Sequence, residues 1–216
     1  ADGVKRAKDV GLSLGLHLRL TEGPPLTKGP IDIALCNGGE FLPPLQLLKR
    51  LMIGGSDFVN VIRDEIRAQM DAFLKYIEKP EHINTHHHIH IHPLILKPLL
   101  AVANEYNFPV LRWPTEPVLG KGKLKREIEI ITFNILAFYG EKTLNKSGMK
   151  SPDHFRGLRL MDGEINSTTL CDTIKNVQDG ITELMVHPGN SYNGEKEIKA
   201  ICNSNVRNVL SENNIS

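Results

Sequence analysis

The 216-residue sequence predicts an α/β fold in which parallel strands alternate with outer helices, a variant of the (β/α) barrel. Three runs predict it. Gly11 to Leu20 alternates strictly, with leucines on one side and Gly11, Ser13, Gly15, His17 and Arg19 on the other. His82 to His92 alternates again, and Gly180 to Gly189 carries a third run that stops at His187-Pro188-Gly189. Successive side chains of a strand point to opposite faces, so each run reads as one apolar and one polar side. Helical periodicity fills the stretches between them, which is the pattern of a parallel sheet. In a parallel barrel the C-terminal strand ends open on one face, so His17, the histidine tract and His187 are expected to converge. With 40% hydrophobic residues the chain can bury one core and is short for two, so residues 1–216 are expected to form a single domain.

Residues 1–9 fit the end of a helix, and Gly11–Leu20 follows as the first strand. Gly23, Pro24 and Pro25 end that strand in a loop, the kind of place where α/β proteins keep their sites. From Lys28 to Gly55 the pattern is irregular, with Asn37-Gly38-Gly39 and Pro43-Pro44 as turns, and an excursion over the site is expected. Ser56 is the expected N-cap of a long helix, Asp57 to Glu78. Phe58, Ile62, Ile66, Met70, Phe73, Leu74 and Ile77 recur along it at core spacing.

His82-Ile83-Asn84-Thr85-His86-His87-His88-Ile89-His90-Ile91-His92 holds six of the nine histidines. Read as a strand, it places His82, Asn84, His86, His88, His90 and His92 on one face, and Ile83, Thr85, His87, Ile89 and Ile91 on the other. His87 is then expected to point away from the site. Neutral imidazole is a metal ligand and a general acid or base near neutral pH. Same-face neighbours lie roughly 7 Å apart, so one ion would take one or two of these rings.

Pro93 suits the first turn of the next helix, which Pro98 should bend. Phe108–Arg112 reads as a short strand whose terminal Arg112 is placed to bind substrate or orient a carboxylate. Helices are expected over Lys125–Lys146, Thr168–Gln178, Glu195–Asn203 and from about Asn205. Ser151–Gly157 is expected as a loop or short strand carrying Asp153 and His154, and Glu183, Met185 and His187 share one face of the last strand.

Lys plus Arg number 26 against 25 Asp plus Glu, scattered along the chain, so no footprint for nucleic acid or an anionic membrane is present. Cys36, Cys171 and Cys202 are odd in number and widely spaced, which argues against a disulfide framework or a zinc ribbon. No run reaches the roughly 20 apolar residues of a membrane span. The first residues lack both Met and a signal-peptide core, and a cytoplasmic location is expected.

Gly15-Leu16-His17-Leu18-Arg19-Leu20-Thr21-Glu22-Gly23-Pro24-Pro25-Leu26, His82 to His90, and Glu183-Leu184-Met185-Val186-His187-Pro188-Gly189 resemble the three signature segments of the YdjC-like family, in the family's order. The resemblance implies a (β/α) barrel variant of the glycoside hydrolase/deacetylase type. It implies a divalent metal, Mg²⁺ or Zn²⁺, and hydrolytic removal of acetyl from N-acetylated sugars such as chitooligosaccharides. By the same resemblance His17 and His86 are metal ligands and His187 is the acid facing the leaving amine. His88, His90, Arg112, Asp153 and Glu183 are expected to touch substrate or support the ligands.

Two positions depart from the family pattern: Asn84 stands where the family has Asp, and Asn190 where an aromatic residue is common. The family's first strand, with adjacent aspartates before Phe-Gly, has no counterpart, and no Asp-Asp pair occurs in the sequence. The N-terminal strand is therefore expected to be missing and the catalytic base to be an upstream aspartate. Residues 1–216 alone are expected to be a poor or inactive catalyst and to aggregate, or pair as a homodimer, through the open edge. Two rival readings are a non-catalytic metal- or sugar-binding relative and a metal phosphoesterase. The second is weakened by the lack of a basic cluster or Gly-rich phosphate cradle beside the histidines.

Overall fold

Leu16 and Leu18 point into a core while His17 between them points out, and this three-residue alternation is β1 (Leu16–Leu18). The computed structural model describes residues 2–119, 123–161, 163–190 and 192–215. They fall into two compact units, Ala1–Arg112 with Leu136–Ser151, and Trp113–Ile135 with Pro152–Ser216.

The first unit opens with α1 (Asp2–Asp9) and β1. β1 pairs in parallel with β4 (Ile83–Thr85), in the register Leu16 to Ile83, His17 to Asn84 and Leu18 to Thr85. Ile83 bridges Leu111, and Val110 bridges Lys150, both in parallel, so four chain segments lie side by side in one direction. The expected ten-residue first strand is only three residues long. Leu12 is exposed, and the Gly11, Ser13, Gly15 side offers little to bury. Gly15 has its own role: a Cβ there would stand 2.1 Å from the His82 ring.

Between β1 and β4 the irregular excursion is replaced by ordered structure: α2 (Pro30–Leu35), a hairpin of β2 (Cys36–Asn37) with β3 (Glu40–Phe41), and α3 (Pro44–Gly54). Pro30 and Pro44 are the first residues of their helices, where a missing N–H costs nothing. A 3-10 turn over Gly55–Phe58 leads into α4 (Val59–Leu74), shorter at both ends than expected, and the side chain of Ser56 lies outside the described set. Ile62, Ile66 and Met70 on α4 are completely buried, as their spacing predicts. α5 (Pro93–Glu105) follows the histidine tract and buries Leu96, Leu99, Leu100 and Ala103. The residues of α6 (Leu124–Ser147) are divided between the two units.

The second unit contains β5 (His154–Arg156), α7 (Ser167–Lys175), β6 (Thr182–Leu184), α8 (Tyr192–Ile201) and α9 (Ser204–Glu212). β5 and β6 pair in parallel. Phe155 packs with Ile130, Leu158 and Met185. A second cluster joins Ile165, Leu170, Ile174, Ala200, Val206 and Val209. Gly157, at φ 123, lets the backbone of Met185 approach to within 2.6 Å of where a Cβ would sit.

Parallel pairs with helices between them are thus present. The hydrogen-bonded sheets have two strands each, with isolated bridges beside them, among the described residues. No helix among them is long and apolar enough to cross a membrane.

Candidate functional site

The β1/β4 register sets His17 beside Asn84, and the ring Nδ1 is hydrogen-bonded to Asn84 Oδ1. The amide oxygen can only accept, so Nδ1 carries the proton and Nε2 presents its lone pair. That Nε2 lies 3.4 Å from Nδ1 of His86, the rings meeting edge to face with centroids 5.5 Å apart. Two nitrogens bound to one tetrahedral Zn²⁺ at its usual bond length stand about 3.4 Å apart. The separation of the two ring nitrogens matches that spacing. His86 is half-buried, and burial, followed by the neighbouring His87, lowers its pKa below the ordinary histidine value against the opposing pull of Glu22. Its other nitrogen, Nε2, lies 3.4 Å from Glu22 Oε2.

The tract does not continue as a strand. Thr85 is the last extended residue, and His86–Ile91 forms a 3-10 turn in which His87 (φ 53) and His88 (φ 52) are left-handed. This corrects the expected two-faced alternation. His87 does not point to an apolar face: its ring lies 3.8 Å from that of His86, centroid to centroid, and its Nδ1 is 3.0 Å from Thr21 Oγ1. Glu22, His86 and His87 each offer a ligand atom within 4.8 Å of the others.

The remaining rings have other tasks. His90, expected to touch substrate or support the ligands, is completely buried. Its Nε2–H donates to the Arg112 carbonyl at 2.8 Å, and its Nδ1 accepts from Thr85 Oγ1 at 2.6 Å. Burial pushes its pKa down to about 3, so the ring is neutral. His88 is also buried, which removes it from a substrate surface. His92 caps α5, its Nδ1 accepting from Leu94 N at 3.3 Å.

Three residues of this neighbourhood, Glu65, Gln69 and Glu22, are not singled out by sequence reasoning. Glu65 on α4 is completely buried and accepts from Leu26 N (3.0 Å), Thr27 N (2.8 Å), Thr27 Oγ1 (2.6 Å) and Gln69 Nε2 (2.8 Å). Gln69 in turn grips the main chain of Arg19, accepting from its N–H at 2.9 Å and donating to its carbonyl at 2.6 Å. Together they hold the end of β1 and the loop that carries Glu22. The visible signal is polar Glu65 and Gln69, four apart, beside the apolar stripe of α4. Glu22 is visible only as the one acid in the loop after His17. Beside them Leu16, His17, Arg19, Pro24, Leu26, Gln69, Ala72 and Phe73 line a cleft of about 420 Å³.

Arg112 is half-buried, and its N–H donates to the Ile83 carbonyl at 3.0 Å. In the second unit, β6 stops at Leu184, so His187 lies three residues beyond the strand rather than at its end. His187 is exposed and its backbone N–H donates to the carboxylate of Glu197, a buried residue of α8. Glu183 is half-buried in the middle of β6, opposite Phe155. Asp153 precedes β5 and accepts from Ile181 N at 2.8 Å. It thus ties together the N-terminal ends of the two strands, whereas parallel sheets build their sites at the C-terminal ends. His154 Nε2 lies 3.2 Å from the Asp179 carbonyl, at the same end.

Comparison with known proteins adds the following. A family model described as YdjC-like protein matches residues 1–212. A carbohydrate deacetylase of Clostridium beijerinckii is 27% identical over 215 residues, covering 94% of this chain and 75% of the relative. A chitooligosaccharide deacetylase of Escherichia fergusonii is 29% identical over 168 residues, covering 76% of this chain and 64% of the relative. Among solved structures, one assigned provisionally as a cellobiose-phosphate cleavage protein from Enterococcus faecalis superposes with a TM-score of 0.69 at 18% identity, covering 99% of this chain and 79% of that one.

Proposed function

The chain belongs to the YdjC-like protein family, and from that premise we propose that it is a metal-dependent deacetylase of N-acetylated sugars, with His17 and His86 holding the cation. The observation that carries the reading is the pair of ring nitrogens, His17 Nε2 and His86 Nδ1, 3.4 Å apart with the far side of each ring engaged by Asn84 or Glu22. Imidazole donors suit Zn²⁺ better than Mg²⁺, which prefers oxygen ligands and retained water. A divalent cation held there would supply an activated water at neutral pH and polarise the amide carbonyl.

The chain's own residues do the rest. Asn84 fixes the His17 tautomer. The 420 Å³ cleft beside His17 falls within the size range of small-ligand sites, and Arg19 and Gln69 give it polar edges for sugar hydroxyls. His187 gives the departing amine its proton, its backbone held by Glu197. The relatives named carbohydrate and chitooligosaccharide deacetylase support an N-acetylated oligosaccharide as substrate. The likeness in fold supports an α/β fold of helices and short parallel strands.

Neither ligand is anionic and the sequence has no Asp-Asp pair. Slow turnover is therefore expected, and fast turnover would make Asp153 or Glu183 the candidate base. The test is acetate release from N,N'-diacetylchitobiose with added Zn²⁺. Metal-dependent release, cut about a hundredfold or more in His187→Ala with metal retained, supports the reading. Bound metal without any release would favour a non-catalytic relative, a reading that the neutral Asn84 also favours.

A further inference from the structure

His86 has two ring nitrogens and the structure gives each a different neighbour. Nδ1 faces His17 Nε2 and Nε2 faces Glu22 Oε2, both at 3.4 Å. An imidazole nitrogen can bind a cation or carry a proton, so the two neighbours imply two different jobs. Asn84 dedicates His17 Nε2 as a lone-pair donor, and a cation shared with His17 must take Nδ1 of His86. Nε2 of His86 then carries its proton, and the carboxylate facing it is Glu22.

We propose that Glu22 is the positioning residue of this centre: by accepting the Nε2–H of His86 it keeps Nδ1 free and aimed at the cation. The proposal rests on the reading of His17 and His86 as a metal pair. Outer carboxylates of this kind fix the tautomer and orientation of a ligating histidine and make it a better donor. Glu22 also lies close enough to His86 and His87 for the three to share a cation, but the His86 nitrogen that faces Glu22 is Nε2, not the Nδ1 that faces His17.

The loop is built to hold Glu22 where it is. Glu22 is left-handed at φ 58 and Gly23 follows at φ 68, so the chain doubles back immediately after β1. A non-glycine residue in that region persists only where its surroundings fix it. The fixing groups are Glu65, buried and bonded to Leu26 and Thr27, and Gln69, bonded to both main-chain groups of Arg19. The Arg19 guanidinium also lies against Gly23, 2.7 Å from where a Cβ would be, so a larger residue there would have to displace that side chain.

The test uses the protein with ¹⁵N-labelled histidine, read with and without Zn²⁺, and zinc affinity from competition with a chelating dye. The expected wild-type spectrum shows His86 protonated at Nε2 and metal-bound at Nδ1. Glu22→Ala should weaken zinc binding by about 10- to 100-fold and abolish the single His86 tautomer. Glu22→Gln, which keeps an accepting oxygen, should restore the tautomer and most of the affinity. Because the Glu22 side chain is exposed, the melting temperature of the metal-free chain should stay unchanged in both variants. Unchanged zinc affinity in Glu22→Ala overturns the proposal while leaving the metal pair intact. His86 bound through Nε2, with affinity lost equally in Ala and Gln, overturns it in favour of direct ligation. A wild-type chain that binds no zinc overturns both the proposal and the reading beneath it.

Discussion

His86 is where the extended chain ends, and the next two residues decide what it faces. His87 and His88 adopt left-handed backbone at φ 53 and 52 without a glycine. For an L-residue this costs about 1–2 kcal/mol, and for a β-branched one more. His87→Val should therefore destabilise the turn by about 2 kcal/mol, whereas His87→Gly should leave stability within a few tenths. Chemical denaturation of both variants reads the difference, and equal stabilities would deny the left-handed turn. The turn was not legible because nothing in His87-His88 signals positive φ as Asn-Gly would. Alternation alone therefore predicts a strand through the tract and sends His87 to the wrong face. His17 was legible, since Leu16 and Leu18 flank it in strict alternation and are buried as that alternation requires.

At the scale of elements, α4 does more than supply a core face. Its apolar stripe was readable from spacing, but the task of Glu65 depends on which loop crosses the helix, and that is a long-range fact. Glu65→Gln replaces an accepting oxygen by an NH₂ group that faces donors from Leu26, Thr27 or Gln69. With the site fully buried, the expected cost is about 1–3 kcal/mol, and urea unfolding should show it. No change in midpoint would mean that the clamp holds nothing.

The turn after β4 carries its own pH signature. Neutral, buried His90 has its pKa pushed down to about 3 by burial, against about 6.5 in an unfolded chain. Between those values the unfolded chain binds a proton that the folded one refuses, so stability is full above about pH 6.5 and falls as pH drops towards 3. The slope from this group is about 1.4 kcal/mol per pH unit. His86 and His92, also lowered by burial, act in the same direction. His90→Gln should flatten the acid limb of the stability curve, and an unchanged slope would remove His90 as its source. Elsewhere, α2 and α3 escape the sequence pattern because Pro43-Pro44 signals a turn, although proline also starts helices, as Pro30 and Pro44 do here.

At the scale of the whole molecule, the alternation of helices with short parallel strands was readable from three runs and their spacing. The strand lengths were not. A run such as Gly11 to Leu20 can alternate without finding a partner along its whole length, and only Leu16–Leu18 pairs with β4. The two principal rings of the proposed site, His17 and His86, come together within the first unit. The groups that orient them, Glu22 and Asn84 directly and Glu65 and Gln69 through the loop, depend on contacts that no local pattern encodes. The central claim is that these two imidazoles hold one divalent ion, and metal content after chelator treatment, reloading with Zn²⁺ and exhaustive dialysis tests it most directly. Wild-type chain is expected to retain up to one equivalent at a site that His17→Ala and His86→Ala each lose; stoichiometry unchanged in both variants would contradict the account.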